Sequence, residues 1–297
     1  MKNILVTGAS GFLGESLVRE LYKMSDINVY AISSRDKDLL RKYPDIKVNN
    51  FNDFIRNKDE FPNIDLVFNC SFSRTSEGKE LAKSLEFTAI LAETCANSEV
   101  KGFVNISSQS VYNQQRESAA IESSIVMPDS KYAIAKYATE VVTSTILSKS
   151  ETSFTNIRLA SLSGIDFNHR LTSRMVKKAI ESESLNVNNG SQKIAYLDVK
   201  DATHGLLQLI KSDPKLWKSV YNLGIKNYYY LIEIAEKIKC LMYQKEGKEI
   251  IIDKKESDDY INLTLNTTSF SKDFNWSKHW DIEKDLEELY LKYRRIQ

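Results

Sequence analysis

The chain has 297 residues, 42% of them hydrophobic, enough for one large or two moderate domains with a substantial core. Its 41 lysines and arginines against 40 aspartates and glutamates leave a net charge of +1, which argues against nucleic acid or an anionic membrane surface as partner. No apolar run approaches the ~18 residues of a membrane span, and Lys2 leads into an apolar strand rather than a secretory signal, so the expectation is a soluble, cytoplasmic protein.

Ile4, Leu5 and Val6 form an apolar strand that runs into Gly8, Gly11 and Gly14. Phe12, Leu13, Leu17, Val18 and Leu21 then fall on one helical stripe. A strand, a Gly-x-x-Gly-x-x-Gly turn and a helix in that order are the context in which such glycines signify dinucleotide binding. Gly8 permits the tight turn, Gly11 lets backbone N–H groups approach a pyrophosphate, and Gly14 lets the helix pack closely on the strand. The helix N-terminus directs positive partial charge at the phosphates, and Ser10, Phe12 and Leu13 complete the cofactor loop.

Short apolar runs then alternate with helical stretches up to about residue 160. Strands are expected over 3–7, 28–33, 46–49, 64–70, 101–107 and 153–159, with long helices from Gly78 to Asn97 and from Ser130 to about Leu147. This alternation predicts an α/β fold with a Rossmann-type doubly wound parallel sheet. Beyond Gly164 the pattern turns irregular, with a polar patch at Asn186–Gly190 and a charged stretch from Asp253 to Asp259. Helices over 171–182, 200–211, 230–242 and 281–294 complete a smaller, mixed C-terminal lobe. The expected division is a dinucleotide-binding domain over 1–164 and a substrate-binding lobe over 165–297, with about 195–225 returning to the first.

The second strand ends Ile32-Ser33-Ser34-Arg35, without the acid that usually holds the ribose hydroxyls of NAD. Two hydroxyls followed by an arginine suit a 2′-phosphate, so NADP is the expected cofactor and NAD the alternative. A solvated Arg35 at a helix entry is the bland reading. Asn50 and Asp53 follow the third strand, where an adenine edge is usually read. After the fourth strand Cys70, Ser71 and Phe72 line the cofactor, with Arg74 beside them on the substrate side.

Tyr-x-x-x-Lys occurs three times, as Tyr43/Lys47, Tyr132/Lys136 and Tyr196/Lys200. Tyr132/Lys136 alone lies on a long helix after the fifth strand, with both side chains on one face. That strand ends in Ser107-Ser108, followed by Gln109, Ser110 and Tyr112, which places hydroxyls at the carboxyl edge of the sheet. A tyrosine, a lysine and a serine beside a nicotinamide form a hydride-transfer site: the phenol moves the alcohol proton, Lys136 favours its phenolate, and a serine holds the substrate oxygen. A cation about 4 Å away at an effective dielectric near 20 contributes roughly 4 kcal/mol, or about 3 pK units, enough to bring the phenol toward about 7. Cys70, Cys95 and Cys240, like His169, His204 and His279, are scattered along the chain, so neither a disulfide framework nor a metal site is indicated.

Six motifs carry a family resemblance: Thr7-Gly-x-x-Gly-x-x-Gly14, Ser107-Ser-x-x-Val-Tyr112, Tyr132-x-x-x-Lys136, Arg158-Leu-x-x-x-x-Gly164, Val199-x-Asp201 and Val220-Tyr-Asn-Leu-Gly224. Through them the chain resembles the extended short-chain dehydrogenase/reductase superfamily, among its NAD(P)-dependent nucleotide-sugar epimerases, dehydratases and reductases. The resemblance implies Ser108 as the catalytic hydroxyl, Tyr132 as acid/base and Lys136 as a further contact to the nicotinamide ribose. It implies a sugar nucleotide as the small-molecule substrate, and a homodimer is compatible with it; the alternatives are a reductase of a small non-nucleotide carbonyl and a non-catalytic NADP-sensing protein on the same fold. Dehydratases of this kind carry an Asp-Glu pair where Gln109 and Ser110 stand, so elimination of water is set aside. Relatives place a diphosphate-binding arginine where Ile194 stands. Arg170 and Arg174, one turn apart on the helix after the sixth strand, are the expected replacement, the alternative being two solvated arginines. The Tyr228-Tyr-Tyr230 cluster is read as packing against the following helix.

Overall fold

A computed structural model describes residues 1–56, 63–167, 170–182, 184–188, 190–255 and 260–296. Seven parallel strands form the main sheet: β1 (Lys2–Thr7), β2 (Ile27–Ile32), β3 (Lys47–Asn49), β4 (Leu66–Asn69), β5 (Gly102–Ser108), β6 (Ser153–Leu159) and, from far along the chain, β11 (Val220–Leu223). Their spatial order is β3-β2-β1-β4-β5-β6-β11, so the chain reverses direction of winding between β1 and β4, where a doubly wound sheet opens a ligand crevice. The helices α1 (Phe12–Tyr22), α2 (Asp36–Lys42), α3 (Phe51–Arg56), α4 (Gly78–Ala96), α5 (Lys131–Leu147) and α7 (Val199–Lys211) accompany these strands. Ile4, Leu5 and Val6 are at most 3% exposed, as expected of a parallel strand covered on both faces. Each expected strand and long helix of the first 160 residues is found within two residues of its predicted limits.

Three asparagines run across this sheet at one level. Thr7 pairs with Asn69, Asn69 with Asn105, and Asn105 with Asn156 in the strand register. Their side chains connect in the same order: Thr7 Oγ1 donates to Asn69 Oδ1 (2.7 Å), Asn69 Nδ2 to Asn105 Oδ1 (3.2 Å), and Asn105 Nδ2 to Asn156 Oδ1 (2.9 Å). Each amide is at most 3% exposed, so each owes its tolerance in the core to its neighbours.

Among the described residues the remaining elements form three two-stranded sheets and the outer helices. β7 (Ser161–Ser163) pairs with β10 (Tyr196–Asp198), β9 (Lys193–Ile194) with β12 (Tyr229–Tyr230), and β8 (Ser184–Asn188) with β13 (Ile251–Lys255). The patch at Asn186–Gly190, read as irregular from its polarity, lies largely on a strand. Leu185 and Val187 are buried while Asn186 and Asn188 are exposed, a period-two signal that composition hid. The charged stretch begins within β13 and continues outside the described residues. α6 (Leu171–Glu181), α8 (Leu231–Glu246) and α10 (Ile282–Ile296) pack a second core around Val176, Ile194, Ile234, Ile238 and Leu289; α9 (Thr268–Asp273) lies against β11.

α10 docks through a buried pair of carboxyls. Ser163 Oγ donates to Asp285 Oδ2 (2.6 Å), and the Lys200 N–H donates to Asp198 Oδ1 (2.6 Å). The two buried carboxyls face one another, and burial followed by the charge of Asp198 pushes Asp285 up to about 8. Among the described residues no helix is long and apolar enough to cross a membrane.

Candidate active site

The glycine turn sits at the crevice. Gly8 has φ +61°, and a Cβ there would lie 2.8 Å from the backbone of Cys70 and Ser71, so both its conformation and its contact with the exit of β4 require glycine. A Cβ on Gly14 would lie 2.3 Å from the Gly8 carbonyl oxygen. The close approach is thus of α1 to the turn itself, rather than to the strand as expected. Gly11 is the N-cap of α1 and no side chain caps that end. The N–H groups of the first turn therefore face the crevice without a side-chain acceptor, a donor set that fits a pyrophosphate.

Around the end of β2 the predicted cofactor residues divide. Ser33 is 3% exposed, and its Oγ accepts the Arg35 N–H (2.9 Å), so its hydroxyl shapes the turn. Ser34 and Arg35 are exposed, and the Arg35 guanidinium donates to the Ser10 carbonyl, holding it across the glycine turn. A cleft of about 520 Å³ opens there, lined by Ser10, Gly11, Phe12, Arg19, Arg35 and Lys42 among others. Asn50 is occupied elsewhere: its Oδ1 accepts the Asp53 N–H (2.9 Å) and its amide donates to the Asp53 carboxylate, capping α3. Leu13 faces the core and Phe12 stacks on Phe167, with centroids 4.5 Å apart.

Ser130 caps α5, its Oγ accepting the Ala133 N–H (3.2 Å), and this fixes the face that carries Tyr132, Lys136 and Glu140 at four-residue intervals. Ser108, at the end of β5, accepts from the Ser110 N–H (3.2 Å) and hydroxyl (2.9 Å). Its own proton is left for the Tyr132 phenol oxygen, and this bond pulls the phenol pKa down. Lys136 is 5% exposed; its Nζ donates to the Ile106 carbonyl (2.7 Å) and lies 4.1 Å from the centre of the Phe72 ring. That ring meets Tyr132 edge-on at 5.6 Å.

The electrostatics correct one expectation. Burial raises the Tyr132 phenol above its usual value, and the opposing influences are Arg74, Arg170 and Ser108. Lys136 is not the cation that favours the phenolate here. Burial lowers it to about 7, so its own charge is weakened by the enclosure that was meant to focus it.

Beneath these residues lies a network that spacing did not reveal. Ser107 Oγ donates to Glu140, whose carboxylate takes Arg158 Nε (3.0 Å) and Nη2 (2.7 Å). Arg158 Nη1 donates to the Tyr112 hydroxyl (2.9 Å), which donates to Asn222 Oδ1 (2.8 Å). Three of the six quoted motifs thus contribute to one buried structure. Glu140, four residues beyond Lys136, was missed, although its position on the same helical face signalled it.

The substrate end is built differently. Ile194 is 3% exposed and packs in the second core, so its strand supplies no cation there. Arg170 has a partner other than Arg174. It shares the Phe167 ring with Arg74, the two Cζ atoms lying 4.8 and 5.0 Å from the centroid. Burial first, then repulsion from Arg74, lowers Arg170 to about 10. Arg174 is exposed, and both it and Arg170 act on the Tyr196 phenol, which burial nonetheless pushes up to about 12. Of the tyrosine cluster, Tyr229 packs against the second core, whereas Tyr228 and Tyr230 meet edge-on at 5.5 Å under Lys193.

Two of the scattered histidines come together. His204 and His279 have ring centroids 5.9 Å apart, beside Asp201. The Asp201 carboxylate accepts the His279 and Trp280 N–H groups, each at 2.9 Å, and so fixes the entry to α10. His169 lies outside the described residues.

The profile of the NAD dependent epimerase/dehydratase family matches residues 4–224. An Arabidopsis thaliana protein, the trifunctional UDP-glucose 4,6-dehydratase/UDP-4-keto-6-deoxy-D-glucose 3,5-epimerase/UDP-4-keto-L-rhamnose-reductase, is 23% identical over 84% of this chain, which spans 41% of the plant protein's length. The low-salt glycan biosynthesis protein Agl12 of Haloferax volcanii is 22% identical over 96% of both chains. Among solved structures, UDP-glucuronic acid 4-epimerase from Bacillus cereus, in complex with UDP-glucuronic acid and NAD, superposes with a TM-score of 0.84 at 20% identity, covering 99% of this chain and all of that one.

Proposed function

The chain belongs to the NAD dependent epimerase/dehydratase family, and from that premise we propose that it is a reductase or epimerase acting on a carbonyl or secondary alcohol of a sugar nucleotide, with NADP(H) preferred. The observation that carries this reading is the meeting of Ser108, Tyr132 and Lys136 beside an uncapped glycine turn. A nicotinamide cofactor, when bound, supplies the hydride acceptor or donor. Tyr132 gives or takes the hydroxyl proton, and the raised phenol pKa keeps it protonated and ready to donate to a carbonyl oxygen. Ser108, its hydroxyl aligned by Ser110, holds that oxygen. Lys136, anchored on the Ile106 carbonyl, is in place to reach the ribose. Gln109 is buried and carries no acid or base function, which supports leaving elimination of water aside.

Sugar-nucleotide chemistry is supported by the kinship to enzymes named for such substrates. Arg35, crossing to the Ser10 carbonyl at the edge of a cleft lined by Arg19 and Lys42 as well as Glu15 and Asp166, supports a 2′-phosphate. The competing reading is a small unphosphorylated carbonyl substrate, favoured by the buried Ile194. The test is a screen of NADPH consumption against keto-sugar nucleotides, run beside mass spectrometry for epimerised product. Turnover of at least one sugar nucleotide that Tyr132→Phe abolishes is the expected result. Turnover confined to free sugars or simple ketones would sink the reading, and an Arg170/Arg174 double variant with an unaltered KM for a phosphorylated substrate would count against those arginines.

A further inference from the structure

Arg74 and Arg170 converge although they repel. Arg74 follows β4, Arg170 precedes α6, and both guanidiniums rest on the single ring of Phe167. Among the described residues the arginine ion pairs involve Arg19, Arg158 and Arg294, and none involves these two. The buried Nε of Arg170 has no hydrogen-bond acceptor. A fold gains nothing from gathering like charges with an unmet donor, since an unpartnered buried polar group and its unpaired charge both cost stability. An anion between the two guanidiniums removes both costs at once.

Where that anion must sit follows from what the arginines touch. Both bear electrostatically on Tyr132, the residue proposed to serve the reacting carbon. Phe167, their common platform, stacks on Phe12 of the glycine turn, which ties the pair to the cofactor end of the crevice. Arg174, exposed and one turn further along α6, is the cation left for a diphosphate. Resting on the reading of this crevice as a sugar-nucleotide site, we propose that Arg74 and Arg170 form a carboxylate clamp and that the substrate is an acidic sugar, a uronic acid or its equivalent, whose carboxylate lies beside the carbon served by Tyr132. Guanidinium suits a carboxylate better than ammonium does, because its planar fork binds both oxygens and the Phe167 ring fixes its plane.

The test uses full-length protein loaded with NADP⁺ or NAD⁺ and calorimetric titration of matched probes: a nucleoside diphosphate glucuronate, the corresponding glucose, and the bare nucleoside diphosphate, on uridine, guanosine and thymidine carriers. On the carrier that binds, the glucuronate should bind at least about tenfold tighter than the glucose. The Arg74→Ala/Arg170→Ala double variant should lose that preference and keep its affinity for the bare nucleotide. Equal binding of acidic and neutral sugars overturns the clamp while sparing the proposed function, as does an equal loss of bare-nucleotide affinity in the double variant, which would assign the pair to the diphosphate. Failure of every carrier to bind overturns both. Melting of the double variant guards against a structural role: an unchanged or raised Tm is expected, and a marked fall in Tm refutes the clamp.

Discussion

Arg158 and Arg170 live in opposite surroundings. Arg158 is 4% exposed; burial works against its charge, but the bond to and charge of the Glu140 carboxylate, with the Tyr112 hydroxyl, together outweigh burial and hold that charge firmly. Arg170 faces another arginine, keeps an unmet Nε and has its charge weakened by burial. One arginine is finished by the fold and the other awaits a ligand. The difference separates the parts of the site by origin: the proton-handling end, with Tyr132, Lys136 and the network below, is closed within the protein, while the substrate end is open. Family membership is written in the closed part and substrate choice in the open one.

Breaking the closed part should have the largest effects. Tyr132→Phe should lower turnover by about 10²–10⁴-fold on an established substrate, with cofactor affinity near normal by fluorescence titration. Wild-type turnover in that variant would remove the phenol from the mechanism. Glu140→Ala strands Arg158 as an unpaired buried charge and should cost about 3–5 kcal/mol in denaturant unfolding. Arg170→Ala provides the contrast: its unfolding free energy should stay within about 0.5 kcal/mol of wild type. Similar losses in the two variants would erase the distinction between them.

Arg35 tests the cofactor edge of the open part. A charge-assisted pair to phosphate contributes on the order of 1.5–3 kcal/mol, so Arg35→Ala should weaken NADPH binding by about tenfold or more and leave NADH little changed. Tighter binding of NADH than NADPH by the wild type would refute the NADP assignment. The smallest effect is expected at the α10 docking pair. The Asp285 carboxyl holds its proton up to about pH 8 in the fold, against 3.8 for the free group. Its contribution is therefore full below about pH 4 and is lost as pH rises through about 8. Asp285→Asn should flatten that decline in a series of thermal melts, and an unchanged slope would show that Asp285 does not carry it.

Much of the fold was legible because its signals are local. The glycines, the Ser130 cap, and the spacing of Tyr132 from Lys136 each lie within one turn or one element. Ser33 and Asn50 show the opposite lesson at the same range: both were read toward a cofactor, yet serine and asparagine near turns bond to neighbouring backbone first, and the structure shows them doing so. The Glu140–Arg158–Tyr112–Asn222 network joins residues 18, 46 and 110 positions apart, a geometry that no spacing rule encodes. Arg74 and Arg170 meet only because the end of β4 and the entry to α6 border one crevice. The sign of the Tyr132 shift was misread because desolvation is a property of the packed molecule: it outweighs Arg74, Arg170 and Ser108, and the Lys136 of the helical pair is not among the influences on the phenol.

The asparagines of the main sheet bear on how the chain assembles. A parallel sheet has no tight hairpins to align its strands, and the apolar runs of β1, β4, β5 and β6 are nearly interchangeable as hydrophobic surface. Asn69, Asn105 and Asn156 remove that ambiguity, because a slip of one position turns a strand's amide to the opposite face and strands its neighbours' donors. The row acts as a proofreading device: misaligned intermediates carry a penalty that correctly threaded ones do not. Exchanging a single asparagine for leucine leaves the error penalty on the wrong side, in the native state. Exchanging all three restores a quiet core and discards the proofreading, so refolding yield, rather than final stability, is the property that the row protects.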